Sequence, residues 1–216
     1  MIIDVYQDTV CPWCRIGKKN LLEAMDRWSE THKEPYSVRW HAFQLDPTTP
    51  QEGRNFKEVM TAKMGGEERL GQVIAHTCEA GKACSIDFNM DRIEYMPNTL
   101  RSHQLIALAP EEYKLPLIDG IYKAYFEDGR DIGKLDVLLE LAKETGMGYI
   151  DALRKQMEDG AGMNEVEEDL NHASQIGITG VPFFIFNNKY SFSGAQSPEG
   201  FLKVLEMIEE KEKENA

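Results

Sequence analysis

Two cysteines separated by two residues are the part of this sequence best suited to chemistry. Cys11 and Cys14 enclose Pro12 and Trp13. Side chains three residues apart on a helix lie on the same face, so the two sulfurs would be within bonding reach. Such a pair interconverts between dithiol and disulfide, and it can thereby exchange two electrons with another thiol or disulfide.

The elements around the pair would place it where a strand ends and a helix begins. Residues 2–7 form a short apolar, β-branched run, and residues 12–28 have apolar positions at helical spacing. A helix N-terminus presents unpaired N–H groups and the positive end of the dipole, which stabilise a thiolate. We therefore expect Cys11 to be the accessible nucleophile of low pKa. Cys14 would lie one turn inside and resolve the mixed disulfide, and Trp13 would be exposed beside the substrate.

Two other interpretations of the cysteine pair are half of a zinc site and two unreactive core thiols. A structural zinc site needs a second close pair of Cys or His ligands. Cys78 and Cys84 have five residues between them, and the histidines have no metal-binding spacing such as H-x-x-x-H. We therefore predict no metal, and the strand–C-x-x-C–helix order favours redox chemistry.

A proline before the last predicted strands is the second candidate element. Val181 and Pro182 precede the run that begins at Phe183. A proline can simply open an edge strand. Alternatively, a cis Val181–Pro182 bond would turn the Val181 amide and carbonyl toward Cys11, ready to pair with a substrate backbone. The C-x-x-C pair favours the cis interpretation.

The order of elements predicts an α/β protein with a large helical insertion. Alternation at residues 36–43 predicts a second strand, which completes β-α-β. From about residue 50 to 176 the periodicity is helical, with six or seven helices and no convincing strand. Residues 183–193 then predict a hairpin turning at Asn187-Asn188, followed by a final helix.

Composition and charge exclude several classes of partner. The 216 residues are 42% hydrophobic and 28% charged, which suits a globular chain with a real core. A net charge of −13 argues against nucleic acid and anionic membrane surfaces as partners. No run approaches the roughly 20 apolar residues of a membrane span. The N-terminal residues lack the features of a secretion signal, so we expect a cytoplasmic protein.

The chain resembles the DsbA-like branch of the thioredoxin superfamily. It is most similar to the FrnE-like oxidoreductases, relatives of 2-hydroxychromene-2-carboxylate isomerase and kappa-class glutathione transferase. The resemblance implies a thioredoxin-like domain of residues 1–49 and 177–216, an insertion domain of residues 50–176 packed against it, and a homodimer in many members. The matching stretches span most of the chain: Asp8–Cys14, Pro97–Thr99, His103, Ala124–Gly129, Gly180–Phe184 and Ser193–Gln196.

This resemblance implies disulfide exchange with protein or small-thiol substrates. The isomerase and transferase relatives usually have serine in place of Cys11, lack Cys14 and use bound glutathione as cofactor. Because this chain has both cysteines, it should cycle through its own disulfide without a required cofactor, and glutathione would be a substrate or reductant. The alternatives are a glutathione-dependent isomerase or transferase of the same fold, and a non-enzymatic holdase or zinc-bound module.

Four further residues have both a functional and a structural interpretation. Asp8 could relay a proton to Cys14 or tune Cys11, or it could accept a turn hydrogen bond. In the family, the helix that begins near Asn98 borders the active-site cleft, so Asn98 and His103 could line a groove for thiols or peptides. They could equally be a helix cap and a core histidine. Gln196 could line the same cleft or belong to a tight turn.

Cys78 and Cys84 are candidates for an auxiliary redox pair. On one straight helix, six residues would separate them by about 9 Å, beyond the usual ~7 Å limit for disulfide Cα atoms. Gly81 lies between them and could end the helix in a left-handed residue. A chain that turned back there would bring Cys84 to Cys78. The other interpretation is two unpaired thiols.

Overall fold

A computed structural model describes residues 1–214. Its strands are β1 Ile2–Gln7, β2 Ser37–Ala42, β3 Arg54–Asn55, β4 Tyr95–Met96, β5 Phe183–Phe186 and β6 Tyr190–Ser193. Its α-helices are α1 Pro12–Thr31, α2 Phe56–Met64, α3 Glu67–Ala83, α4 Leu100–Leu108, α5 Glu111–Phe126, α6 Leu135–Glu144, α7 Ile150–Glu158, α8 Met163–Gln175 and α9 Pro198–Glu214. No helix in this part of the chain is long and apolar enough to cross a membrane.

The main sheet has the strand order β2-β1-β5-β6. Strand β1 pairs in parallel with β2, across the α1 crossover, and antiparallel with β5. Five of its six residues are buried, as befits a strand inside a sheet covered on both faces. The predicted hairpin turns at Asn187 and Asn188, both with positive φ. The predicted α/β fold with a helical insertion is therefore confirmed.

Helices α1 and α9 pack on one face of this sheet. Their core includes Leu21 and Phe201 together with Phe184 and Phe186 of β5. Gly17 lets α1 approach the sheet closely, because a Cβ there would lie 3.0 Å from Cγ of Pro182. The start of α1, and the cysteines with it, is therefore held against the proline that precedes β5.

The helices between residues 50 and 176 pack against the start of α1. Between residues 50 and 176 the structure has seven α-helices, and their core includes Cys11, Cys14 and Ile16 of the first domain. One difference is a small antiparallel ribbon of β3 and β4, where the sequence predicted no strand. Strands of two residues are too short to show the alternation by which strands are recognised.

Helix α3 does not end at Gly81, so the proposed auxiliary redox pair is wrong. The helix continues to Ala83, and Gly81 serves close packing: a Cβ there would lie 2.5 Å from the Phe88 ring. A continuous helix places Cys78 and Cys84 about 9 Å apart along its axis. Both are free thiols, and their sulfurs face different backbone carbonyls, those of Phe88 and Ala80.

A partly buried charge network attaches α8 to the edge of the sheet. His41 of β2 lies between two carboxylates, 2.8 Å from Asp4 and 2.5 Å from Asp169 of α8. Asp4 also accepts two hydrogen bonds from Arg39. Burial alone would lower the pKa of His41, but the hydrogen bonds to Asp169 and Asp4 outweigh it and raise the pKa to about 9.

This network predicts a loss of stability at alkaline pH. A pKa raised from 6.5 to about 9 stabilises the fold fully below about pH 6.5, and the contribution disappears as the pH rises through 9. In the wild type we expect the free energy of unfolding to fall by up to about 3 kcal/mol between pH 6.5 and 9.5. In His41→Gln this decline should be absent. Urea titrations at several pH values measure it. Parallel pH profiles for both proteins would contradict the assignment.

The loop after α5 depends on Gly129. Its φ is +69°, and a Cβ there would lie 2.3 Å from the carbonyl oxygen of Arg92. Gly177 is a matched control, because its φ is +76° and no described heavy atom outside its immediate neighbours lies within 4 Å of a Cβ. Both alanine variants carry the left-handed strain, so we expect Gly129→Ala to cost about 1–3 kcal/mol more than Gly177→Ala. Equal losses in chemical denaturation would show that the contact with Arg92 has no effect.

Candidate functional site

The turn between β1 and α1 sets the position of the two cysteines. Cys11 is the N-cap of α1; its N–H donates to the carbonyl of Asp8, at 3.0 Å, and its carbonyl accepts the N–H of Cys14, at 3.1 Å. Pro12 occupies the first helical position, where a missing N–H leaves no helical hydrogen bond unmade. The Cys11 sulfur therefore sits at the positive end of α1, as predicted.

The two thiols differ in what they face. Cys11 lines a cavity, and its Sγ lies 3.6 Å from the carbonyl oxygen of Val181. Cys14 lies behind it, and burial raises its pKa, with a further contribution from the neighbouring Cys11. The expectation that Cys11 is open to solvent is wrong: its exposed fraction is 3%, against 1% for Cys14. The insertion packs over the pair, so Cys11 is reached through the cavity.

The Val181–Pro182 bond is cis, as predicted. Val181 is half-buried and lines the cavity beside Cys11, whereas Pro182 is buried and accepts a hydrogen bond from the N–H of Gly194, at 2.8 Å. The two residues thus meet the active-site turn at the end of β5, the juxtaposition that the sequence predicted from two motifs 170 residues apart.

Asp8 is a buried acid in the lining of the same cavity. The side chain is 1% exposed. Its Oδ2 accepts the N–H of Leu45, at 2.7 Å, whereas its Oδ1 has no hydrogen-bond partner within the described chain. His103 approaches this oxygen to 3.4 Å, but its Nε2 donates to the carbonyl of Phe43, at 3.0 Å.

Buried hydroxyl groups attach the turn to the insertion. Thr9 and Ser102 of α4 share a hydrogen bond of 2.7 Å. Tyr122 of α5 donates to the side chain of Gln7, at 2.7 Å, and approaches the carbonyl of Asp8, at 3.3 Å. Burial raises the pKa of Tyr122 well above its usual value, so the hydroxyl remains a donor at physiological pH.

The cavity has a volume of about 290 Å³, and its walls are mainly apolar. Trp13 forms part of it, half-buried rather than exposed, with its ring 5.7 Å from that of His76 on α3. The charged side chains that line the cavity are those of Asp8, Asp46 and Lys63. The apolar lining comes from α2, α3 and the segment before α4, and includes Val59, Met60, Val73, Ile74, Met90 and Met96.

Sequence reasoning missed these lining residues. Phe56, Val59, Met60 and Met64 do form a helical stripe, which was the available signal. In the structure, however, no residue of α2, all of which is described, is fully buried. The stripe faces the cavity, and periodicity cannot distinguish a cavity wall from a packed interface.

Three predicted binding residues lie outside the cavity lining. The amide of Asn98 is engaged at both ends, donating to the carbonyl of Thr49 and accepting the N–H of Leu100. His103 lies behind Asp8, and Gln196 is exposed, with its carbonyl bound by Asn20. Their structural interpretations are therefore the ones that the contacts support. Within residues 1–214, no three His, Cys, Asp or Glu side chains cluster as a metal site would require.

Comparisons with known proteins agree with this geometry. An uncharacterised Bacillus subtilis protein, YwbO, is 25% identical over 94% of both chains. The crystal structure of a probable DsbA oxidoreductase from Streptomyces coelicolor has a TM-score of 0.87 at 29% identity, covering 95% of this chain and 88% of that one.

A more distant neighbour shows the fold alone. The cytosolic disulfide reductase DsbM of Pseudomonas aeruginosa, solved with glutathione, has a TM-score of 0.66 at 16% identity, covering 96% of this chain and 98% of that one.

The family model of the DSBA-like thioredoxin domain matches residues 2–206, nearly the whole chain. The resemblance found in the sequence is thereby confirmed, and the protein belongs to the DsbA-like thioredoxin-domain family.

Proposed function

We propose that this protein is a thiol–disulfide oxidoreductase with Cys11 as nucleophile and Cys14 as resolving thiol. The observation that carries the proposal is the pair itself: one sulfur at a helix N-terminus facing a cavity, the other buried one turn behind it. Family membership supports oxidoreductase chemistry in general. The geometry supports the assignment of the two roles.

The reaction proceeds through a mixed disulfide. The Cys11 thiolate attacks one sulfur of a substrate disulfide, that S–S bond breaks, and the released thiolate takes up a proton. Cys14 then loses its proton and attacks the sulfur of Cys11, which releases the second substrate thiol. The two cysteines end as a disulfide, and two electrons have passed to the substrate. Oxidation of a substrate dithiol is the same sequence in reverse.

Burial of Cys14 gives the two steps their order. Because burial raises its pKa, Cys14 stays a thiol while Cys11 reacts, and it does not compete for the incoming disulfide. Val181 adds a backbone carbonyl beside the reacting sulfur. An extended substrate lying along this segment could pair with it as a neighbouring strand does.

The roles of the two cysteines are tested by trapping. We expect Cys14→Ser to accumulate a mixed disulfide on Cys11, visible by intact mass spectrometry, because no thiol remains to resolve it. Cys11→Ser should lose disulfide reduction by about 10³-fold or more, as when a nucleophile is removed. Cys78→Ser is the matched control and should retain activity, because its sulfur faces the Phe88 carbonyl outside the cavity. Activity retained by Cys11→Ser would exclude the proposal.

Alkylation tests the difference between the two environments. With iodoacetamide near neutral pH we expect Cys11 to be modified before Cys14, because Cys14 is buried behind it and its pKa is raised. Peptide mapping separates these positions from the half-buried Cys78 and Cys84. Labelling of Cys14 ahead of Cys11 in the folded protein would reverse the assignment.

A further inference from the structure

We infer that the cavity at Cys11 selects small, uncharged, apolar disulfides, and discriminates against glutathione disulfide and the disulfides of folded proteins. This inference rests on the proposed function, because it names the substrate class of the same site. It follows from three properties of the cavity: its enclosure, its apolar lining and the acidic side chain of Asp8 in that lining.

Enclosure limits the size of the reacting group. Only 3% of Cys11 is exposed, so a disulfide must enter the cavity before its sulfur can meet that of Cys11. Ligand pockets usually measure about 300–1,000 Å³, and an engineered cavity of about 150 Å³ holds benzene. About 290 Å³ therefore suits a group of one or two aromatic rings. A folded protein cannot bring a surface disulfide to this depth without displacing α2 and α3.

The lining favours an apolar group of variable shape. Four methionines contribute to it: Met60, Met64, Met90 and Met96. Methionine is unbranched and polarizable, so it adapts to different ligand outlines and makes favourable contacts with aromatic rings. Phe56 and Trp13 add aromatic surface to the wall. Such a surface gains from covering an apolar ligand and offers few donors to a polar one.

Charge discriminates against anionic ligands. A carboxylate that entered the cavity would lose its hydration and lie close to the acidic side chain of Asp8, with few donors in the apolar lining to replace the lost water. Asp46 adds a second acidic group to the lining. Lys63 is the cationic residue of the lining, and it is exposed on α2. Glutathione disulfide has four carboxylates, so it conflicts with the cavity in both size and charge.

The balanced reaction is one turnover of the dithiol. Reduced protein and a disulfide R–S–S–R yield the Cys11–Cys14 disulfide and two R–SH molecules. The protons of Cys11 and Cys14 end on the two released thiols, and the protein is oxidised by two electrons. A single turnover needs no further reductant, so rates can be measured directly on pre-reduced protein.

The test compares four disulfides in single-turnover stopped-flow measurements. They are dithiodipyridine, which is neutral and aromatic; dithiobis(nitrobenzoate), which is aromatic and dianionic; glutathione disulfide; and insulin. The rate constant of the protein with each disulfide is divided by the rate constant of mercaptoethanol with the same disulfide. This ratio corrects for the intrinsic reactivity of that disulfide. We expect the neutral aromatic disulfide to be favoured at least about tenfold over each of the others, because a buried carboxylate without partners is costly.

Salt separates the cavity from the overall charge of the protein. The net charge of −13 also repels anions, but at 1 M salt the screening length falls to about 3 Å. Discrimination by the enclosed Asp8 should persist there, and Asp8→Asn should narrow the ratio of neutral to dianionic probe. If the ratio collapses in salt and Asp8→Asn leaves it unchanged, charge selection by the cavity is refuted.

Two tryptophan variants of α2 test the steric part. Met60→Trp fills the cavity. It should slow the reaction with dithiodipyridine at least about tenfold, because overfilling a packed site excludes its ligand. Ala62→Trp lies on the exposed side of the same helix and should react as the wild type does. If Met60→Trp fails to fold, Ile74→Phe fills the same cavity from α3.

The outcomes distinguish this inference from the proposed function. Failure of reduced protein to react with any of the four disulfides would refute the oxidoreductase assignment itself. Reaction with all four at equal normalised rates, or preferential reaction with insulin or glutathione disulfide, would leave that assignment intact and overturn the substrate class.

Discussion

The turn between β1 and α1 is held from the insertion side by buried hydrogen bonds, and the site depends on that attachment. Tyr122 binds Gln7, and Ser102 binds Thr9, so α5 and α4 each hold one end of the segment that leads into Cys11. These groups are buried, and leaving any of them unpaired would carry a full desolvation cost. The active-site geometry is therefore a property of both parts of the protein together.

The position of the insertion explains why a reactive thiol can be so little exposed. Cys11 belongs to the same core cluster as the central helices of the insertion, while the main sheet has a core of its own. The cysteine pair thus lies at the junction of two packed bodies, and the incomplete packing of α2 leaves the cavity there. This enclosure limits what can reach the sulfur of Cys11.

Electrostatics act locally at this site despite the acidic overall charge. Ion pairs flank the start of α1 on its far side, where Arg15 pairs with Glu127 and Lys18 with Asp119. Burial opposes ionisation of Cys14, whereas Cys11 sits at the N-cap of α1 and faces the cavity. Two identical side chains thereby have different surroundings within one helical turn.

The sequence by itself determined the elements and the motifs that carry the chemistry. The apolar run of β1, the cysteine spacing, the Val181–Pro182 pair and the turn at Asn187 are local signals, and each was confirmed in position. The family resemblance added their arrangement in space. Only the tertiary structure decided what surrounds them: the enclosure of Cys11, the burial of Asp8 and the cavity under α2. The tertiary structure also decided that α3 continues past Gly81. The ring of Phe88, seven residues away in sequence, packs where a side chain at position 81 would be. Hydrophobic periodicity and helix caps depend on neighbouring residues in the sequence. Burial and cavity shape arise from contacts between residues that are distant in the sequence.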